Sequence, residues 1–356
     1  HYDFGATLGD AFTDVVSPTW SFARVERSPG STADFIVYYN PNDFDVVVTL
    51  TAYTAQGDPV EIQQTVGAQR RLGFNINNNP SLPTGVFSAV LSSRAADSAN
   101  DAAFIGVVAS LSHYNVAEGW GTAYLGDPTG GSVLAAIPSI TLSDSIEPEL
   151  VIFNPNANTT TVTIRGTYVT TGLPDFTRVI EISGRGTLRL TGAGLGLIRN
   201  QTAGLTITSD DPVSVASQQE QFGEADATRA FTEAGTRYFF GDGFMNTIRA
   251  GERYFETLSF LNPTGIDTEV TVRFLFTDGS SVTESVFVAA GRVAELLVHE
   301  TESILSRPGV LQFFSIEATA DSPFIATFTH YDLFLGGGWT ASGAPLGLQN
   351  PLDTLV

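Results

Sequence analysis

Apolar side chains in this sequence occur in short runs in which apolar and polar positions alternate. The alternation is clearest in residues 45–55 (DVVVTLTAYTA), 160–170 (TTVTIRGTYVT) and 269–276 (EVTVRFLF). A period of two is typical of a β-strand with one buried face, because successive side chains point to opposite faces of a sheet. Residues 292–305 (RVAELLVHETESIL) fit either a helix or a strand followed by a short turn. The pattern therefore predicts an all-β chain.

The alternation also predicts which side chains face the core. We expect six to point inward, namely Val48, Leu50, Val162, Ile164, Val272 and Phe274. The intervening Thr49, Thr163 and Arg273 are expected to face outward, because a strand presents alternate residues to opposite faces.

The strongest pattern is an internal repeat. An apolar strand runs into Asn-Pro at Asn40, Asn154 and Asn262, with spacings of 114 and 108 residues. Asn-Pro ends a strand well, because Pro cannot donate to the ladder and Asn bonds to nearby backbone. Each copy continues with an alternating strand, a glycine turn, another strand and a Gly/Arg corner; the turn glycines are Gly57, Gly172 and Gly279. Six or seven short strands in about 110 residues are typical of an antiparallel, Ig-like β-sandwich.

We therefore predict three tandem sandwiches in a row, flanked by two short segments. The predicted boundaries are 1–19 for an N-terminal segment resembling the end of a preceding repeat, 20–131, 132–235 and 236–345 for the sandwiches, and 346–356 for a C-terminal tail.

These motifs resemble the tandem β-sandwich repeats of secreted and cell-surface proteins of bacteria and archaea. The matching stretches are Asn40-Pro41-Asn42, Asn154-Pro155-Asn156, Pro212-Val213, residues 238–243 (YFFGDG), Val270-Thr271-Val272 and Gly336-Gly337-Gly338. The third copy fits best, whereas the second departs at its end, where QQEQFGEADATRAF replaces the His-Tyr loop. The resemblance implies a β-sandwich architecture and an extracellular or cell-surface location, and it brings no catalytic residues.

The first residues repeat a later motif. His1-Tyr2-Asp3 matches His113-Tyr114-Asn115 and His330-Tyr331-Asp332, so His1 is interpreted as the end of a repeat strand. The alternative is a copper ligand, which needs a second histidine such as His113 or His330. The segment is rich in apolar side chains, and we expect it to be ordered and to dock on protein in a head-to-tail contact. The candidate assembly residues are Tyr2, Phe4, Leu8, Phe12, Val15 and Val16.

Composition narrows the range of partners. The 356 residues carry 38 acidic and 17 basic side chains, a net charge of −21, with no Lys and no Cys. Such a charge disfavours nucleic acid and anionic membrane as partners. The absence of Cys excludes disulfides and thiolate chemistry within the chain. Because the sequence holds no apolar run of the roughly 18 residues that a membrane helix needs, we expect no membrane insertion.

The candidate binding chemistry is sparse. Trp120 and Trp339 lie in glycine-rich stretches and are candidate contacts for a glycan or other partner; the alternative is that each ring is buried in its own loop. Asn158 and Asn200 begin N-glycosylation sequons. We expect no cofactor, with Ca²⁺ at acidic turns as the alternative. No nucleophile elbow or zincin motif is complete, so we expect no enzyme.

These observations favour a non-enzymatic structural protein of a cell-surface assembly such as a filament, sheath or S-layer. Two alternatives stay open. One is an adhesin or carbohydrate-binding protein that uses Trp120 and Trp339, and the other is an accessory β-sandwich array of a larger secreted enzyme.

Overall fold

The computed structural model describes residues 15–54, 58–97, 105–221, 224–333 and 338–351. Within these ranges the chain is all-β, as predicted, and its two α-helices are four-residue turns, α1 (Gly192–Leu195) and α2 (Glu302–Leu305). The ambiguous run at 292–305 forms a strand followed by a 3₁₀ turn (Val298–Glu300) and α2. The second of the two predicted forms is therefore the one observed.

The first sandwich consists of two four-stranded antiparallel sheets. The strands are β1 (Thr19–Arg27), β2 (Thr32–Asn40), β3 (Val46–Tyr53), β4 (Val60–Val66), β5 (Arg70–Asn75), β6 (Gly85–Ala95), β7 (Val108–Asn115) and β8 (Trp120–Leu125). The strand orders in the two sheets are β1-β6-β3-β4 and β5-β2-β7-β8.

The second sandwich has the same strand order, with one long strand serving both sheets. The strands are β9 (Ser132–Leu142), β10 (Ile146–Phe153), β11 (Thr160–Tyr168), β12 (Phe176–Ile182), β13 (Thr187–Thr191), β14 (Gln201–Gln221) and β15 (Glu224–Arg229). The first half of β14 pairs with β9 and β11, and its second half pairs with β10 and β15. Strand β14 thus takes the places of both β6 and β7.

The third sandwich repeats this plan and adds one strand at an edge. The strands are β16 (Glu233–Asn246), β17 (Tyr254–Leu261), β18 (Thr268–Phe276), β19 (Ser281–Val288), β20 (Val293–Leu297), β21 (Leu311–Asp332), β22 (Gly338–Ala341) and β23 (Ala344–Pro351). Long β21 pairs with β16 and β18 through its first half and with β17 and β22 through its second. The added strand β23 extends the sheet beyond β16.

The predicted strand register is confirmed. All six side chains expected inside have a relative exposure of 0%: Val48, Leu50, Val162, Ile164, Val272 and Phe274. Arg273 is exposed, and Thr49 and Thr163 are partly exposed. The predicted turn glycines Gly172 and Gly279 have φ values of 85° and 83°, which other residues rarely adopt, whereas Gly57 lies outside the described residues.

The repeated asparagines are structural clamps. Asn40, Asn154 and Asn262 are each fully buried. In every copy the side-chain amide donates to the carbonyl four residues later, at 2.8–2.9 Å. The side-chain oxygen accepts the backbone N–H two residues later, at 2.9–3.0 Å. One buried side chain thereby satisfies the backbone at each strand end.

Strand pairing shows where the chain enters each sandwich. Backbone bonds join Ser17 to Val107 and Pro18 to Ser93, so the first sandwich includes residues before Trp20. Strands β9 and β16, which open the second and third sandwiches, begin at Ser132 and Glu233.

Equivalent strands of the three sandwiches converge. Strand β15 lies against both β8 and β22, and β8 and β22 also approach each other. The first and third sandwiches therefore touch, an arrangement that the prediction of a row did not include.

Buried apolar contacts join successive sandwiches. The rings of Tyr53 and Phe153 lie 5.1 Å apart between the first two, and Phe153 is fully buried in the first core. Between the second and third, Leu134 and Ala136 share a buried cluster with Leu261 and other residues. These contacts make the linked sandwiches one packed body.

Candidate functional site

The two candidate tryptophans both pack against neighbouring side chains, but to different depths. Trp120 is only 3% exposed, and its indole N–H donates to Glu118 at 2.9 Å. Trp339 is partly buried against the third core, stacked on His330 with ring centroids 5.6 Å apart. Both lie in strands, β8 and β22, rather than in loops. Trp120 therefore offers no open stacking surface, whereas part of the Trp339 ring stays exposed.

The histidines beside these rings bind buried carboxylates. His113 Nδ1 lies 2.6 Å from Asp34 Oδ1, and His330 Nδ1 lies 2.9 Å from Glu256 Oε1. Among the described residues no group of three His, Asp or Glu side chains is placed to hold a metal ion. His1, for which copper binding was the alternative to a strand end, lies outside the described residues.

Each of these carboxylates also accepts a backbone N–H beside a β-bulge. The register of β1 shifts between Phe22 and Val25, and the next N–H, that of Glu26, donates to Asp34 Oδ2 at 2.6 Å. Glu256 accepts the equivalent N–H of Phe244 at 2.9 Å. In the second sandwich Pro148 and Gln219 stand where the acid and the histidine stand in the other two. There Gln219 Oε1 accepts the equivalent N–H, that of Thr141, at 2.7 Å.

The other candidate residues that the structure describes are Asn158, Asn200, Val15 and Val16. Asn158 and Asn200 are both exposed, and glycosylation at them stays a prediction. Val15 is 41% exposed, and Val16 is partly buried. Tyr2, Phe4, Leu8 and Phe12 lie outside the described residues. No described helix is of a length and apolar character suited to crossing a bilayer.

A buried ion network fills the interface between the first and second sandwiches. Arg24, at the bulge of β1, donates through Nε to Glu149 at 2.8 Å and through Nη2 to Glu26 at 2.8 Å. Arg189 donates to the other oxygen of Glu149 at 2.8 Å. Burial alone would raise the pKa of Glu149, but the two guanidinium groups hold it below its usual value.

A polar cavity occupies the corresponding interface between the second and third sandwiches. Its volume is about 180 Å³. Residues on its wall include Ser139, Gln219 and Asp226 from the second sandwich and Thr257, Glu295 and Tyr331 from the third. The Tyr331 hydroxyl donates to Asp226 Oδ2, which links the two sandwiches.

Substitution at equivalent positions accounts for the cavity. The bulge that places Arg24 in β1 places Ser139 in β9, in each case two residues before the captured N–H. Counting back from the clamping asparagine, Glu149 corresponds to Thr257. Strand pairing makes Arg189 equivalent to Glu295. At the second interface Ser139, Thr257 and Glu295 thus stand in place of Arg24, Glu149 and Arg189. These side chains are shorter, and the space that they do not fill is the cavity.

The two acids on the wall are abnormally weak acids. Burial raises the pKa of Asp226 to about 6, although hydrogen bonds to Tyr331, Thr340 and Gln219 act in the opposite direction. Burial likewise raises the pKa of Glu295, against hydrogen bonds from Ser259 and Ser139. The hydroxyls of Ser259 and Ser139 lie 3.2 and 3.4 Å from Glu295 Oε1.

The sequence alone does not indicate this cavity. Asp226 lies in QQEQFGEADATRAF, where the second copy departs from the repeat, and Glu295 lies in the ambiguous run. The available signal was the change from Arg24 to Ser139, but a bulge separates these positions from the regular alternation.

The comparisons with known proteins give weak likenesses to solved structures alone. Neither a protein-family model nor a curated protein matches this sequence. Among solved structures, Thermotoga maritima 1070 aligns at 21% identity with a TM-score of 0.27, over 32% of this chain and 95% of its own. The Anabaena sensory rhodopsin transducer aligns at 18% identity with a TM-score of 0.23, over 26% of this chain and 93% of its own. The major pilin of Streptococcus pyogenes aligns at 11% identity with a TM-score of 0.16, over 87% and 97%. At these TM-scores the likeness is no guide to function.

Proposed function

We propose that this protein is a non-enzymatic structural subunit of an extracellular cell-surface assembly, such as a filament, sheath or S-layer. The observation that carries this proposal is the joining of three sandwiches into one body by buried contacts. Glu149 bonds to Arg24 of the neighbouring sandwich, and Phe153 packs into the neighbouring core. A packed unit of this kind suits a building block that transmits load.

The use of the polar residues supports the same proposal. The clamping asparagines satisfy strand ends, and the histidine–carboxylate pairs satisfy β-bulges. Trp120 is buried, so the competing role in glycan stacking has no exposed ring there. The repeated asparagines, the paired histidines and Trp120 therefore all make contacts within the fold.

The edge of the third sandwich offers a place for self-association. Strand β23 pairs with β16 and forms the edge of its sheet within the described residues. An edge strand presents N–H and C=O groups that accept another strand. The apolar N-terminal segment of a second copy is the proposed occupant, in a head-to-tail contact that does not close.

Electron microscopy of the purified chain, combined with a glycan array, tests this proposal. The expected result is regular polymers without glycan binding. Glycan binding that is lost in Trp339→Ala, with particles that stay monomeric, would instead establish the adhesin alternative.

A further inference from the structure

The interface between the first and second sandwiches shows what the cavity lacks. There the guanidinium of Arg24, with a side chain 9% exposed, is held by Glu149 and Glu26. A guanidinium in this place is surrounded by carboxylate oxygens at hydrogen-bond distance, the arrangement that arginine recognition favours. The first interface therefore shows this place occupied by a guanidinium group.

The equivalent place between the second and third sandwiches has the negative charge without the cation. Glu295 and Asp226 both line the cavity, and no arginine is among the described residues on its wall. His299, also on the wall, has Nδ1 at 2.8 Å from the Glu256 carbonyl. Both hydrogen bonds accepted by Glu295 go to Oε1. Glu295 is partly exposed, and these two bonds come from the neutral hydroxyls of Ser139 and Ser259. Such a carboxylate favours the binding of a cation, because neutral donors offset only part of the desolvation of its charge.

We propose that this cavity is a binding site for a small organic cation of the guanidinium class. Glu295 is the principal anionic contact, and Asp226 is the second. The bound group takes the place that the Arg24 side chain has in the preceding interface.

Size and wall chemistry favour this class of ligand. A volume of about 180 Å³ is below that of pockets for drug-sized molecules but accommodates a short alkylguanidinium. The rings of Phe255 and Tyr331 line the cavity and suit a planar cation. Threonine hydroxyls on the wall, such as those of Thr257 and Thr329, are acceptors for the remaining N–H groups.

Calorimetric titration with ethylguanidinium and its neutral isostere ethylurea tests the site. The wild-type protein is expected to bind ethylguanidinium at least about tenfold more tightly than ethylurea, because only the cation forms charge-assisted bonds. Glu295→Gln is expected to weaken ethylguanidinium binding by about tenfold. Glu269→Gln, at an exposed position of the same sandwich, removes the same charge and is the matched control.

A second variant fills the cavity from within. Ser139→Arg restores the residue of the preceding interface, and it is expected to abolish ethylguanidinium binding and to raise the melting temperature. Equal binding of the two probes by the wild type would overturn the proposal. So would undiminished binding by both Glu295→Gln and Ser139→Arg, and neither result depends on whether the protein polymerises.

Discussion

At the scale of single residues, several buried polar side chains bond to particular backbone atoms. Asn154 bonds to the carbonyl of Asn158 and to the N–H of Asn156. Gln219 accepts the N–H of Thr141. Buried polar groups are stable only when they are bonded in this way, so these side chains define the turns and bulges around them.

The core register predicts the response to truncation. Ile164→Ala removes a fully buried side chain from the second core, and we expect a loss of about 2–4 kcal/mol in the free energy of unfolding. Thr163→Ala, on the opposite face of the same strand, should change it by less than about 0.5 kcal/mol. Urea denaturation of both variants measures the difference; equal losses would contradict the register.

Asp226 predicts a pH dependence of stability. Its pKa is about 6 in the folded chain, above the usual 3.8, so the folded state binds the proton more tightly than the unfolded state. The tighter proton binding adds about 3 kcal/mol to the free energy of unfolding. This stabilisation is fully present below about pH 4 and is lost as the pH rises through about 6.

Asp226→Asn tests this dependence, because the amide is neutral throughout and still accepts from Tyr331. The free energy of unfolding of the wild type, relative to that of this variant, should fall between about pH 4 and about pH 7. Identical pH profiles would show that Asp226 titrates normally.

At the scale of elements, each sandwich opens with a bulged strand whose freed N–H is captured by a side chain. Asp34, Gln219 and Glu256 perform this task in the three copies. In the first two sandwiches a side chain within the bulge contacts the following sandwich. Arg24 bonds to Glu149, and Ser139 bonds to Glu295. Bulges commonly redirect side chains in this manner.

Removal of a capturing group should destabilise its sandwich. Asp34→Ala leaves the N–H of Glu26 and the ring of His113 without their buried acceptor, and we expect a loss of about 3 kcal/mol. His113→Gln keeps an amide donor to Asp34 and should cost less. Chemical denaturation compares them; an equal or smaller loss in Asp34→Ala would refute the role of the acid.

The sequence predicted the individual strands better than it predicted the contacts between sandwiches. Alternation identified Val48 and Phe274 as core residues, because side-chain burial within a strand depends on the local period. The position of Arg24 opposite Glu149 was not predictable, since it depends on a bulge and on the packing of separate sandwiches. For the same reason the cavity beside Glu295 was visible only in three dimensions.

At the scale of the whole molecule, the interfaces between sandwiches determine whether the chain unfolds as one unit. Arg24→Ala leaves Glu26 without its guanidinium partner and Glu149 with only the half-exposed Arg189, and we expect a loss of about 3 kcal/mol. Arg199→Ala breaks an exposed pair with Asp144 and should cost less than about 1 kcal/mol. Scanning calorimetry should show one transition in the wild type and separated transitions in Arg24→Ala. A single, unshifted transition in Arg24→Ala would mean that the interface does not couple the sandwiches.

The net charge of −21 predicts how assembly responds to ions. Repulsion between copies falls when salt screens it, so self-association should strengthen with ionic strength. Deletion of residues 1–14 removes most of the apolar N-terminal segment but leaves Ser17 and its bonds to the first sandwich intact.

Sedimentation velocity of the full chain and of this deletion variant, at about 20 and about 500 mM NaCl, tests the structural role most directly. We expect large polymers of the full chain that increase with salt, and a folded monomer for the deletion variant. A full chain that stays monomeric at both salt concentrations would show that the protein does not self-assemble.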